Sequence, residues 1–86
     1  MKWAEVRNRY PERIVLIEAI KAFSKDRVRT IEEMTVVEEY FDSKEAWIGY
    51  KNYHKQYPER ELYLFHTGKE NIEVIEQYFT GVRNRL

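Results

Sequence analysis

Both prolines of the chain fall in one repeated tetrapeptide, Tyr10-Pro11-Glu12-Arg13 and Tyr57-Pro58-Glu59-Arg60. Proline drives the residue before it out of the helical region and has no N–H to give a ladder. Tyr10 and Tyr57 are therefore expected helix ends, and Pro11 and Pro58 fall where a strand can begin. Upstream of the first corner Trp3, Val6 and Tyr10 recur at one-face helical spacing. Upstream of the second, Asp42 and Glu45 form a capping box, and Ala46, Tyr50, Tyr53 and Tyr57 follow on one helical face.

Arg13 to Ile20 is a β-branched run, apolar on both faces, which belongs inside a sheet. Ser24-Lys25-Asp26 marks a turn. A second strand follows, beginning between Val28 and Glu33, with Met34, Val36, Glu38 and Tyr40 on one face and Thr35, Val37, Glu39 and Phe41 on the other. The second half repeats the order: Glu61 to Thr67 a strand, Thr67-Gly68-Lys69 a turn, then Ile72 to Thr80. That last stretch fits either a helix (Ile72, Ile75, Phe79, Val82) or a strand (Val74, Ile75, Tyr78, Phe79, before Gly81); the repeat favours the strand. The prediction is an α+β domain spanning residues 1–86. Its order is αββαββ, with pseudo-repeat halves of about 1–41 and 42–86, and two helices lie on one face of a four-stranded, largely antiparallel sheet.

Eighty-six residues with 43% hydrophobic content make one small domain. Fifteen basic and fifteen acidic side chains cancel, so no global field draws the chain to nucleic acid or anionic lipid. The charge is nevertheless segregated: residues 1–31 carry +4, residues 32–45 carry −5 and residues 46–86 carry +1. Two solvated surfaces of one monomer account for this more simply than contact between chains. The absence of cysteine excludes disulfides, thiolate chemistry and Cys-based metal sites. The longest uncharged apolar stretch, Ile14 to Ile17, is too short for a membrane span, and Met1 to Glu5 lacks the core of a signal peptide, so a cytoplasmic setting is expected.

Chemistry would have to start from His54 or His66. Neither sits in a metal-ligand pattern, and no metal or cofactor is expected. His66, beside Thr67 and a Gly68 turn, with Glu61 or Glu70 nearby, is the candidate for a ligand-binding or catalytic cleft. Arg7, Arg9, Arg83 and Arg85 form a weaker candidate basic patch for nucleic acid, without any RNP-like pattern to support it. The three glycines form no phosphate-binding loop.

Thirteen aromatic residues, seven of them Tyr, are the stronger anomaly. Two helices on one face leave the other bare, yet the strands are apolar on both. A homodimer through Tyr63, Phe65, Val15 and Ile17 is the expected cover. The competing covers are a C-terminal helix on that face or long Arg and Lys stems.

The segments from Trp3 through Tyr10-Pro11, Val15-Leu16-Ile17-Glu18-Ala19, Tyr57-Pro58-Glu59-Arg60-Glu61-Leu62-Tyr63-Leu64-Phe65-His66-Thr67 and Gly81-Val82-Arg83 resemble a group of small uncharacterised bacterial proteins. These carry a YP corner, an ELYxFHT strand and a terminal G-[IV]-R. Where that group has Trp near the last strand, this chain has Tyr78-Phe79. The resemblance spans nearly the whole chain and implies a bacterial, cytoplasmic setting, with no activity, cofactor or substrate attached. The expected function is a small non-enzymatic protein that self-associates through an aromatic sheet face and serves as a protein-binding or regulatory module.

Overall fold

Two long strands, β1 (Ile14–Lys25) and β2 (Val28–Tyr40), form an antiparallel hairpin around which the rest of the chain is arranged. The structure is a computed structural model, and residues 1–75 are described. Helix α1 (Trp3–Arg9) precedes the hairpin; α2 (Ser43–Gln56), β3 (Leu62–His66) and β4 (Val74–Ile75) follow it. All pairings are antiparallel and the sheet order is β3-β1-β2-β4, an α+β architecture. The two-sided apolar run of β1 is thus interior, as its composition requires. The expected strand over Ile72 to Thr80 is realised at Val74–Ile75; Tyr78, Phe79, Gly81 and Val82 lie outside the described residues.

The two proline corners share a geometry. Tyr10 caps α1 at φ −127°, ψ 63°, and Tyr57 caps α2 at φ −130°, ψ 66°; each N–H reaches back four residues, to the Val6 and Tyr53 carbonyls. The prolines lie in the turns rather than at strand starts, which come at Ile14 and Leu62. At its other end α2 is capped by Asp42, whose carboxylate accepts from the Glu45 N–H at 2.8 Å.

Beyond the corners the halves differ. β1 pairs with β2, whereas β3 and β4 sit on opposite edges of the sheet. The helices also take opposite faces, which corrects the expectation that both cover one. In each half the helix covers the residue five positions after the corner tyrosine, Val15 in one and Leu62 in the other. The register pairs Val15 with Phe65, an odd number of residues from Leu62, so the equivalent faces of the two strands look in opposite directions. On the first face Trp3 and Val6 of α1 pack with Val15, Ile17, Ile31, Met34 and Ile72, and Trp3 meets Phe65 edge-on at 5.7 Å. On the second, Ala46 of α2 is buried and the helix lies over Ile14 and Leu64, with Leu16 fully buried beneath.

The alternation expected along β2 is broken. Leu16 pairs with Glu38 but Ile17 with Val36, so Val37 is an extra residue. This bulge puts Met34 and Val36 on the α1 face while Glu38 and Tyr40 move to the α2 face. Two further register shifts flank Lys21, and the hairpin closes at Asp26 and Arg27, both at positive φ (52° and 66°).

Candidate functional site: the free edge of β3

The residues singled out from sequence do not converge. Thr67 is buried, 3% exposed, and both capacities of its hydroxyl are used: Oγ1 donates to the Tyr10 carbonyl at 2.6 Å and accepts from the Arg13 N–H at 3.0 Å. Its backbone N–H donates to the Arg13 carbonyl and its carbonyl accepts from Arg7 Nε at 2.9 Å. Thr67 is a latch that ties the first proline corner to the end of β3, not a nucleophile. An open groove of about 580 Å³ is lined by Ala4, Glu5, Arg7, Asn8, Pro11, Glu12, Thr67 and Gly68, and the Thr67 hydroxyl beside it is engaged by Tyr10 and Arg13.

His66 is exposed, and its Nδ1 accepts from the Gly68 N–H at 2.9 Å, which stabilises the turn. Glu61 lies at the far end of β3 and is spent elsewhere. Its carboxylate is gripped in a two-pronged pair by Arg29, at 2.5 and 2.9 Å, and accepts from the Tyr63 hydroxyl at 2.6 Å. The guanidinium hydrogen bond, helped by the Tyr63 hydroxyl, holds the Glu61 carboxyl below its ordinary range even though burial opposes it. Burial, and then the hydrogen bond to Glu61, push the Tyr63 phenol up to about 12. Glu61 and His66 thus stand at opposite ends of a strand roughly 16 Å long, and Glu70 is exposed. The cleft expected around His66, Thr67 and Glu61 is not assembled. Among the described residues no group of three or more His, Cys, Asp or Glu is placed to hold a metal ion.

The residues expected to form a dimer face divide by exposure. Val15 and Ile17 are 0% exposed under α1 and have no surface to offer, while Tyr63 and Phe65 are half-buried beside them and stack at 5.8 Å. Arg7 is held on the Thr67 carbonyl and Arg9 is exposed; Arg83 and Arg85 lie outside the described residues, so the expected basic patch is represented by its first half alone.

What the fold leaves open is the outer edge of β3. The Ala19 N–H donates to the Glu61 carbonyl and the Thr67 N–H to the Arg13 carbonyl, so the odd-numbered residues of this segment turn their backbone groups toward β1. Antiparallel alternation then turns those of Leu62, Leu64 and His66 outward. The His66 carbonyl is taken by the Lys69 N–H. Among the described residues the N–H groups of Leu62, Leu64 and His66, and the carbonyls of Leu62 and Leu64, have no partner. The opposite edge of the sheet is treated differently: β4 pairs at Val28 and Arg29, and Met1 exchanges hydrogen bonds with Met34 at 2.8 Å in each direction.

Two grooves open beside this edge, between β3 and α2. One, of about 190 Å³, is lined by Trp47, Tyr50, Leu62, Tyr63 and Leu64. The other, of about 410 Å³, is lined by Ile14, Ser43, Ala46, Trp47, Leu64, Phe65 and His66. Trp47 and Leu64 belong to both, so the grooves succeed each other by about two residues of strand. Trp47 is 53% exposed; its ring stacks on Tyr50 at 5.5 Å, Tyr50 stacks on His54 at 5.8 Å, and the Lys51 ammonium lies 5.7 Å from the Trp47 ring. Trp47 was absent from the sequence-derived site. Its signal was the spacing of Trp47, Tyr50 and His54 at i, i+3 and i+7, a stripe next to the core-facing one.

Among the described residues no helix is long and apolar enough to cross a membrane. No protein-family model, no curated protein and no solved structure matches the chain.

Proposed function

We propose that this chain is a protein-interaction module, not an enzyme, whose working surface is the free edge of β3 with the Trp47 groove beside it. It captures a segment in extended conformation by adding a strand to the sheet. One observation carries the reading: the outward backbone groups of Leu62, Leu64 and His66 run alongside two apolar grooves one strand repeat apart. An incoming strand needs this arrangement, since its backbone completes the ladder while alternate side chains drop into successive grooves. Sheet edges are ordinarily blunted by proline, by charge or by a bulge. β3 reads Leu-Tyr-Leu-Phe-His and has none of these between Leu62 and Phe65. A bacterial, cytoplasmic setting, as the sequence resemblance implies, suits such a module.

The test is titration with an eight-residue peptide alternating leucine and threonine, at low micromolar protein. Binding is expected to shift the backbone amide resonances of Leu62 and Leu64. It should also change Trp47 emission, which is separable from Trp3 because that indole is buried and donates to the Lys69 carbonyl at 2.9 Å. Trp47→Ala should weaken binding by about tenfold, as for a central aromatic contact. Unmoved Leu62 and Leu64 amides at millimolar peptide would overturn the reading.

A further inference from the structure

We infer that the segment captured at this edge is β3 of a second copy of the chain, paired antiparallel about a two-fold axis at Leu64. This rests on the strand-capture reading above and names its partner. The outward groups fix the register. Only residues of even number in β3 present free backbone groups, so even must pair with even. Centring the two-fold on Leu64 engages all three such residues: Leu64 pairs with itself, and Leu62 of each chain pairs with His66 of the other, whose N–H donates to the Leu62 carbonyl while its own carbonyl, which accepts from Lys69, offers its second lone pair to the Leu62 N–H. Other even registers leave at least one of them unmatched.

That register brings complementary side chains together without further adjustment. Tyr63 of one copy falls opposite Phe65 of the other, twice by symmetry, at the closely spaced non-hydrogen-bonded positions where aromatic pairs interact best. The two rings already stack within each chain, so a four-ring cluster forms on the α1 side of the interface. On the α2 side Leu62 stays buried within its own chain, and the exposed Trp47 ring flanks the same edge beside Leu64. Charge follows the same symmetry. Glu59 lies just before β3 and Lys69 just after it; both are exposed and neither forms an ion pair among the described residues. Antiparallel pairing about Leu64 brings the turn that carries Glu59 of each chain to the same end of the interface as the turn that carries Lys69 of the other, whereas parallel pairing would bring like turns together. Within β3 itself there is no acidic or permanently charged side chain to repel its copy. The product is one continuous eight-stranded sheet with an isologous interface.

The test is charge reversal read by sedimentation equilibrium from about 5 to 500 μM. The wild-type chain is expected to dimerise within this range. Glu59→Lys and Lys69→Glu each place like charges at both ends of the dimer interface and should each weaken association by about three- to tenfold at low salt. The double variant restores the pairs with their signs exchanged and should return to within about threefold of wild type. Both substituted positions are exposed, so the fold is not at stake. Amide exchange supplies an independent readout: Leu64 protection should rise with protein concentration while that of Tyr63, already bonded to β1, stays constant. A wild-type chain that is monomeric at 500 μM, or a double variant no tighter than either single one, overturns self-pairing. If those failures occur while the alternating peptide still shifts the Leu62 and Leu64 amides, strand capture stands and its partner is another protein.

Discussion

The ring of Tyr40 lies directly against the backbone of Gly49, so that a β-carbon at that position would overlap it. Glycine in a helix interior costs about 1 kcal/mol relative to alanine, and here that cost admits the last residue of β2 beneath the helix. Gly49→Ala is expected to destabilise the fold by about 1–3 kcal/mol in urea unfolding, overpacking outweighing the helical gain. Combining it with Tyr40→Ala should recover part of that loss, since the overlap disappears.

The Thr67 latch makes a sharper claim because its geometry is fully specified. Thr67→Val keeps the shape but leaves the Arg13 N–H and Tyr10 carbonyl without their partner. A loss of about 1–3 kcal/mol is expected. Thr67→Ser preserves the hydroxyl and should cost less than half as much. Equal losses for the two variants would show that the methyl, not the hydroxyl, holds the corner.

Stability should depend on acid through Glu61. Its carboxyl is held below the ordinary range in the folded chain, chiefly by Arg29. Its contribution is therefore complete above the ordinary carboxylate pKa and is lost as pH falls through the depressed folded value. Glu61→Gln is expected to flatten the acid limb of the stability profile, measured by urea unfolding between pH 7 and pH 2. Tyr63 works in the alkaline direction. With its phenol pushed up to about 12 in the folded chain, it favours folding fully below the ordinary tyrosine range and ceases to do so as pH climbs through that folded value.

The hairpin tip carries removable strain. Asp26 and Arg27 both adopt positive φ between the paired residues Lys25 and Val28, the backbone of a two-residue primed turn. Asparagine followed by glycine is the favoured pair there. The single substitution Asp26→Asn, which eases the left-handed backbone there, should raise stability by up to about 0.5 kcal/mol in thermal unfolding.

Much of the architecture is visible along the chain because it is written locally. The proline corners end both helices at Tyr10 and Tyr57, Asp42 caps α2, and the two-sided apolar run from Ile14 places β1 inside the sheet. Features that depend on remote partners are not visible in this way. The extra residue at Val37 shows only against Leu16 and Ile17, and the opposite placement of the helices follows from the parity of the Val15–Phe65 pairing. The candidate site divides similarly. Tyr63 and Phe65 announce an aromatic strand, but whether β3 is an edge is decided by sheet order. His66 and Thr67 look like loop-borne chemistry until the Tyr10 carbonyl, 57 residues away, is seen to claim the hydroxyl.

The Thr67 latch also has a meaning in time. The pairing of β1 with β2 needs only a local turn, whereas the other flank of β1 is matched only once residues 61–67 have left the ribosome. Until then Val15, Ile17 and Ala19 present an unmatched ladder on a strand whose first half is almost wholly apolar, open to any neighbouring nascent chain. Arrival of Thr67 closes that interval, and the strand edge still exposed passes outward from β1 to β3.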